Sequence, residues 1–152
     1  MSDIHSLMLE ETRSNFFQLE SWMSFLDLKA FGIIAINAIL VSVFAIILTK
    51  YPNLPYYYFI PCLILIVSSA FMLFCIWPRK WKKLAGHRIW EEYKTLEKDS
   101  AVQLLAEKYA KNEKSLYKIY DLKITFFKTG LMFTGVGFVL ESLIFVSLVF
   151  GH

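Results

Sequence analysis

The chain has 152 residues and a formal net charge of +3, so a single domain is the starting expectation. Hydrophobic residues make up 57% of it and mean hydropathy is +0.49, which excludes an ordinary soluble domain of this size. Placement of the apolar residues says why: stretches 31–49 and 51–78 carry no charge, and 129–151 carries only Glu141. Each is long enough to cross roughly 30 Å of hydrocarbon as a helix. A buried soluble bundle is the alternative, and the middle stretch is too long and continuous for it.

Residues 1–29 hold five acids, Asp3, Glu10, Glu11, Glu20 and Asp27, where a secretory signal needs a basic start. Their apolar positions Ile4, Leu7, Met8, Phe16, Leu19, Met23 and Leu26 recur at helical spacing, which predicts an amphipathic N-terminal helix. Lipid-surface helices usually carry a basic polar face. This acidic one is expected to pack against a basic partner, such as the chain's own hairpin described below. Asp27 and Lys29 then stand at the membrane entrance.

The first span carries Ala35, Ala38, Ser42, Ala45 and Thr49 at spacings of three and four, a stripe that lets helix backbones approach in lipid. Asn37 lies beside it, suited to an interhelical hydrogen bond or to a direct functional role. The sequence KYPNLPYYY at 50–58 is a turn, with prolines that break helices and tyrosines that favour the lipid–water interface. A second span over 59–77 follows, with Pro61 in its first turn and Ser68 and Ser69 near its midpoint. Cys62 and Cys75 fall within this one span, cannot pair with each other, and read as small packing residues without metal or redox chemistry.

Of the 16 lysines and arginines, 13 lie in 79–128, two in 1–29 and one in the tyrosine-rich turn. The positive-inside rule places the N-terminus and 79–128 in the cytosol, and the turn and C-terminus outside. The expected fold is therefore an all-α integral membrane protein with three transmembrane helices and a cytosolic helical hairpin continuous with the second and third spans. Its parts are 1–29 (N-terminal helix), 30–78 (transmembrane hairpin), 79–128 (cytosolic hairpin) and 129–152 (third span), acting as one structural unit. Trp81, Leu84, Ile89, Tyr93 and Leu96 form the apolar face of the descending arm, with Gly86 as a kink.

The returning arm and the third span read as one helix from Asp99 to Phe150, roughly 75 Å long at 1.5 Å per residue. Ser100 and Gln103 resemble a capping box at its start. A seam of Val102, Leu105, Tyr109, Asn112, Leu116 and Ile119 breaks at Lys123 and resumes with Phe126, Gly130, Phe133 and Gly137. Glu141 continues the face of Gly130, Thr134 and Gly137, past mid-bilayer and near the depth of Ser42 and Ser68. An acid there is costly if ionised and marks a functional site. The competing reading is a protonated carboxyl hydrogen-bonded to those serines or to its counterpart in a neighbouring subunit.

No nucleophile–base set, zinc spacing, phosphate loop or dinucleotide fingerprint is present, so neither an enzyme nor a metal or cofactor site is expected. His5, His87 and His152 are scattered outside the spans. The hairpin does interleave cations with rings: Arg88 and Trp90 on one arm, and Tyr109, Lys111, Lys114, Tyr117 and Lys118 on the other. That chemistry suits a nucleotide or phosphate ligand, not a nucleic acid polymer. A solvated basic face serving the positive-inside rule would look the same.

Leu26-Asp27-Leu28-Lys29-Ala30, followed by Asn37, resembles the Asp-x-Lys-Ala…Asn opening of the first span in Pycsar effector-type transmembrane proteins. The family is associated with Asp-Thr-Lys where this chain has Asp-Leu-Lys. The stretch LLAEKYAKNEKSLYKIYDLKITFFKTGLMF resembles that family's returning helix, and the likeness extends over about residues 15–150. It implies a multi-pass effector of bacterial antiphage defence in the inner membrane. Such a protein responds to a cyclic pyrimidine nucleotide, cyclic CMP or cyclic UMP, by compromising the bilayer, here as a homo-oligomer. Two other readings remain open: a non-catalytic scaffold docking a protein through the seam and Asn112, and a pore-forming toxin without ligand control.

Overall fold

A computed structural model describes residues 2–50, 55–77 and 96–150, with side chains from residue 6 onward. Three α-helices account for them: α1 (Ser2–Thr49), α2 (Ile60–Ile76) and α3 (Lys98–Phe150), with a short 3-10 helix at Tyr56–Phe59 before α2. Among the described residues there is no strand. All three helices are long and apolar enough to cross a membrane.

Proline places several of the helix ends. Pro52 follows α1 by three residues, and the last turn closes through Lys50 N–H to Ile47 O at 3.1 Å. Pro55 is extended at φ −60° and ψ 151° and opens the 3-10 turn. Pro61 sits in the first turn of α2, where its missing N–H costs nothing. Trp77 turns extended at ψ 124° because the ring of Pro78 excludes the helical conformation from the residue before it. No proline interrupts the 53 residues of α3, which explains its length.

Two boundaries differ from the sequence expectation. The N-terminal helix and the first span are one helix, α1, since nothing between Leu26 and Phe31 breaks it. Helix α3 starts at Lys98, and Ala101 N–H already bonds Glu97 O at 2.9 Å. Ser100 and Gln103 therefore lie inside the helix and form no capping box; Gln103 Nε2 donates forward to Glu107 Oε1 at 3.5 Å. The descending arm, 79–95, lies outside the described residues.

The chain divides into two compact units, Met1–Ser24 with Pro78–Asp121, and Phe25–Trp77 with Leu122–His152. In the first, Phe16, Leu19 and Met23 of α1 pack with Leu116 of α3, flanked by Tyr109, Ile119 and Tyr120. Each buried side chain contributes about 1.5–3 kcal/mol if water is the alternative. The predicted seam of α3 is thus covered by the chain's own N-terminal helix at Tyr109, Leu116 and Ile119.

In the second unit, Ala30, Met72 and Cys75 are fully buried, with Ile33, Ile34, Ile76, Phe126 and Phe127 around them. Leu28, Phe31, Ile36, Ile39, Val43 and Ile46 remain exposed on α1, an apolar surface suited to lipid. The buried positions of α1 recur every seven residues at Phe16, Met23, Ala30, Asn37 and Phe44, and those of α3 at Leu116, Lys123, Gly130 and Gly137. Lys123 is therefore a member of the seam and not a break in it. The small residues Ala35, Ala38, Ser42, Ala45 and Thr49 lie on the exposed side of α1, contrary to the expected packing stripe. Interior contact comes instead from glycines on α3, where a Cβ on Gly137 would fall 2.7 Å from Leu65 Cδ2.

Candidate functional site

Within the second unit, three polar positions interrupt an otherwise apolar interior: Lys123 and Asn37 on the seven-residue series, and Glu141 four residues beyond Gly137. The first is at the start of the unit. Lys123 donates to Asp27 Oδ1, with the lysine side chain 3% exposed and the carboxylate 30%. A lysine on a buried face needs such a partner, because an uncompensated ammonium in low dielectric is costly. Lys29, the cation of the entrance motif, is exposed and lies over the Phe25 ring at 4.3 Å.

The second is a junction of all three helices. Asn37 Nδ2 donates to Ser68 Oγ at 3.1 Å, to Ser69 Oγ at 3.2 Å and to Leu65 O at 3.4 Å. Thr134 Oγ1 donates to Asn37 Oδ1 at 3.1 Å, and Ser68 Oγ to Gly130 O at 2.7 Å. Ser68 and Thr134 are also 2.7 Å apart. Two hydroxyl protons therefore serve three acceptor positions, an arrangement that can redistribute without any helix moving. Asn37 and Ser69 also line a cavity of about 380 Å³ with Ile34, Ala38, Val41, Ser42, Leu65 and Ile66, which the small side chains of Ala38 and Ser42 leave open. Asn37→Leu should lower stability by about 1–2 kcal/mol, at the upper end for a hydrogen-bonding side chain in lipid, measured by thermal unfolding in detergent.

The third is Glu141. It is buried, and its Oε1 is the one buried side-chain polar atom without a hydrogen-bond partner among the described residues. The serines expected beside it are engaged elsewhere: Ser68 at the junction, and Ser42 with Ala38 O at 2.7 Å. Ser42 sits on the exposed side of α1, so equal depth did not bring it to the carboxyl.

In the first unit, Lys111, Lys114, Tyr117 and Lys118 are all exposed on α3, the lysines at spacings of three and four that share one face. Tyr109 lies on the opposite face, edge-on to Phe16 with ring centroids 5.8 Å apart, and belongs to the packed interior. Lys111, Lys114, Tyr117 and Lys118 are thus exposed, whereas Tyr109 packs on the other face. Arg88 and Trp90 lie outside the described residues. No group of three or more metal-ligating side chains occurs among the described residues.

What sequence reasoning missed was the Asp27–Lys123 pair and the role of Thr134. The signal for the first was present: Lys123 falls seven residues from both Leu116 and Gly130, inside a repeat that otherwise buries its members.

A family model for the Pycsar effector protein domain matches residues 11–151. No curated protein and no solved structure matches the chain. The family match takes in most of α1, all of α2 and all of α3, including every polar position described above, and the chain accordingly belongs to the Pycsar effector protein domain family of transmembrane antiphage effectors.

Proposed function

We propose that this effector senses a cyclic nucleotide of the cyclic CMP or cyclic UMP type through its cytosolic helices and responds by impairing the bacterial inner membrane. The N-terminus and 79–128 face the cytosol, the C-terminus faces outside, and the working form is a homo-oligomer. Lys111, Lys114, Lys118 and Tyr117, with Arg88 and Trp90, receive the phosphate and the base.

The observation that carries this reading is the division of labour along α3. One end offers an exposed cationic face with a ring, and the other supplies Thr134, Gly130 and Lys123 to buried polar contacts of the membrane unit. Those contacts are few and rearrangeable, which is what a two-state element requires. A ligand shifts such an element only if it binds one state better than the other. The N-terminal helix already covers the seam at Leu116, which weighs against a scaffold that docks a partner there.

The test is a titration of the detergent-solubilised protein with cyclic CMP, cyclic UMP and cyclic AMP, read as thermal stability. Selective stabilisation by a pyrimidine nucleotide is expected. Replacing Lys111, Lys114 and Lys118 together with glutamine should weaken that binding by at least about tenfold, since charge-assisted phosphate contacts are lost. The unliganded melting temperature should stay nearly unchanged, because all three side chains are exposed. No shift with any of the three nucleotides would remove the sensing step.

A further inference from the structure

Helices α2 and α3 approach closely at two glycines of α3. A Cβ on Gly130 would fall 2.8 Å from Met72 Cε, and one on Gly137 would fall 2.7 Å from Leu65 Cδ2. Glu141 stands one helical turn beyond Gly137 and is 6% exposed. Its oxygen Oε1 has no hydrogen-bond partner, whereas every other buried side-chain polar atom among the described residues is satisfied. The surroundings explain the orphan. The neighbouring side chains of α1 are Leu40, Phe44 and Ile47, none of which can bond it. The Ser142 hydroxyl is turned back to Phe138 O at 2.8 Å. From α2, the half-buried Cys62 thiol lies within reach of the Glu141 charge without bonding Oε1. Asn37, Ser68 and Thr134, by contrast, are bonded to one another in the same packed state. One polar group is at odds with a packing that satisfies the rest.

We propose that Glu141 is a hydration trigger: the dry packing of α2 on α3 leaves its carboxyl unsatisfied, and the active arrangement of the unit brings water to it. The proposal rests on the reading that this protein impairs the membrane, and it gives the place where water enters the unit. A buried oxygen without a partner penalises the resting state by its lost solvation, and a water molecule restores what packing withheld. The penalty acts on one of two states only, which is the condition for shifting a population. Polarity at this position matters, and not the acid as such. Glu141→Gln keeps a group that is unsatisfied when dry and bonded when wet, whereas Glu141→Met removes it.

The experiment uses the full chain. Melting temperature is taken in detergent without nucleotide, and dye release from liposomes is followed with cyclic CMP and with cyclic UMP. Glu141→Met should melt about 2 °C or more above wild type, since the unsatisfied group is gone. It should also release dye at least about tenfold more slowly, and Glu141→Leu, of different shape, should follow it. Glu141→Gln should melt like wild type and keep its release. Cys62 reports the water directly, through labelling by a membrane-impermeant maleimide and peptide mass spectrometry. Nucleotide should speed that labelling about tenfold in wild type and leave it unchanged in Glu141→Met. A Glu141→Met variant that melts no higher than wild type, or that releases dye as fast, would overturn the inference. So would equal loss of release in Glu141→Gln and Glu141→Met, which would assign the requirement to the acid itself. Unchanged Cys62 labelling in wild type that does release dye would put the water elsewhere and overturn it too. Absence of dye release from wild type with both nucleotides would count against membrane impairment instead, and the melting comparison, made without nucleotide, would still decide this proposal.

Discussion

Asp27→Ala should cost about 2–3 kcal/mol of stability, more than the removal of the lysine it pairs with. Breaking a buried ion pair from one side typically costs roughly 3–5 kcal/mol, and the partial exposure of Asp27 lowers that figure. The asymmetry follows from burial. Lys123 is 3% exposed, so without Asp27 its ammonium is left unpaired in an apolar interior. Asp27 is 30% exposed and can be hydrated when Lys123 is replaced by Met. The double replacement Asp27→Leu with Lys123→Met should come close to wild type, since a well-packed apolar pair often equals a buried ionic one. Thermal unfolding of the three variants in one detergent checks the order. Equal losses from the two single variants would mean that Lys123 reaches water by another path.

Gly137→Ala should separate α2 from α3, whereas Gly135→Ala should be neutral or slightly stabilising. A Cβ on Gly137 would lie 2.7 Å from Leu65 Cδ2 and 2.8 Å from Leu65 Cγ, with Ile64 Cγ2 at 3.5 Å. Leu65 is fully buried, so its branch point has no free direction in which to move. Overpacking of that kind costs about 1–3 kcal/mol. Gly135 has nothing within 4 Å, so alanine there gains only the helix preference of about 0.5–1 kcal/mol. Thermal unfolding together with cross-linking between α2 and α3 reads both outcomes. A Gly135 variant as damaging as the Gly137 variant would point to backbone flexibility and not to close approach.

The contrast between these glycines shows how far a sequence carries. Gly130 and Gly137 were recognisable as members of one face because they resume, with Phe126 and Phe133, the helical spacing of Leu116. What they receive, Met72 and Leu65 of α2, was not, because those residues lie more than fifty positions away in the chain. Small residues misled on α1 for the same reason. Ala35, Ala38, Ser42, Ala45 and Thr49 have the right spacing for a packed stripe, but the face that packs is set by Ala30, Asn37 and Phe44. Spacing defines a face; only the neighbouring helices decide which face is used.

By itself the sequence determined the three apolar helices, the long uninterrupted α3 and the membership of Asn37 and Glu141 in the membrane unit; the predicted turn at 50–58 lies partly outside the described residues. Hydropathy, proline geometry and helical period are local properties, readable along the chain. Only the tertiary structure decided that Lys123 answers Asp27, that Asn37, Ser68 and Thr134 share one junction, and that Tyr109 belongs to the interior beside Phe16. It also decided that Glu141 keeps an unpartnered oxygen in the interior of its unit. Each of these is a relation between residues of different helices, and the cost of a buried polar group depends on the partner that packing brings to it.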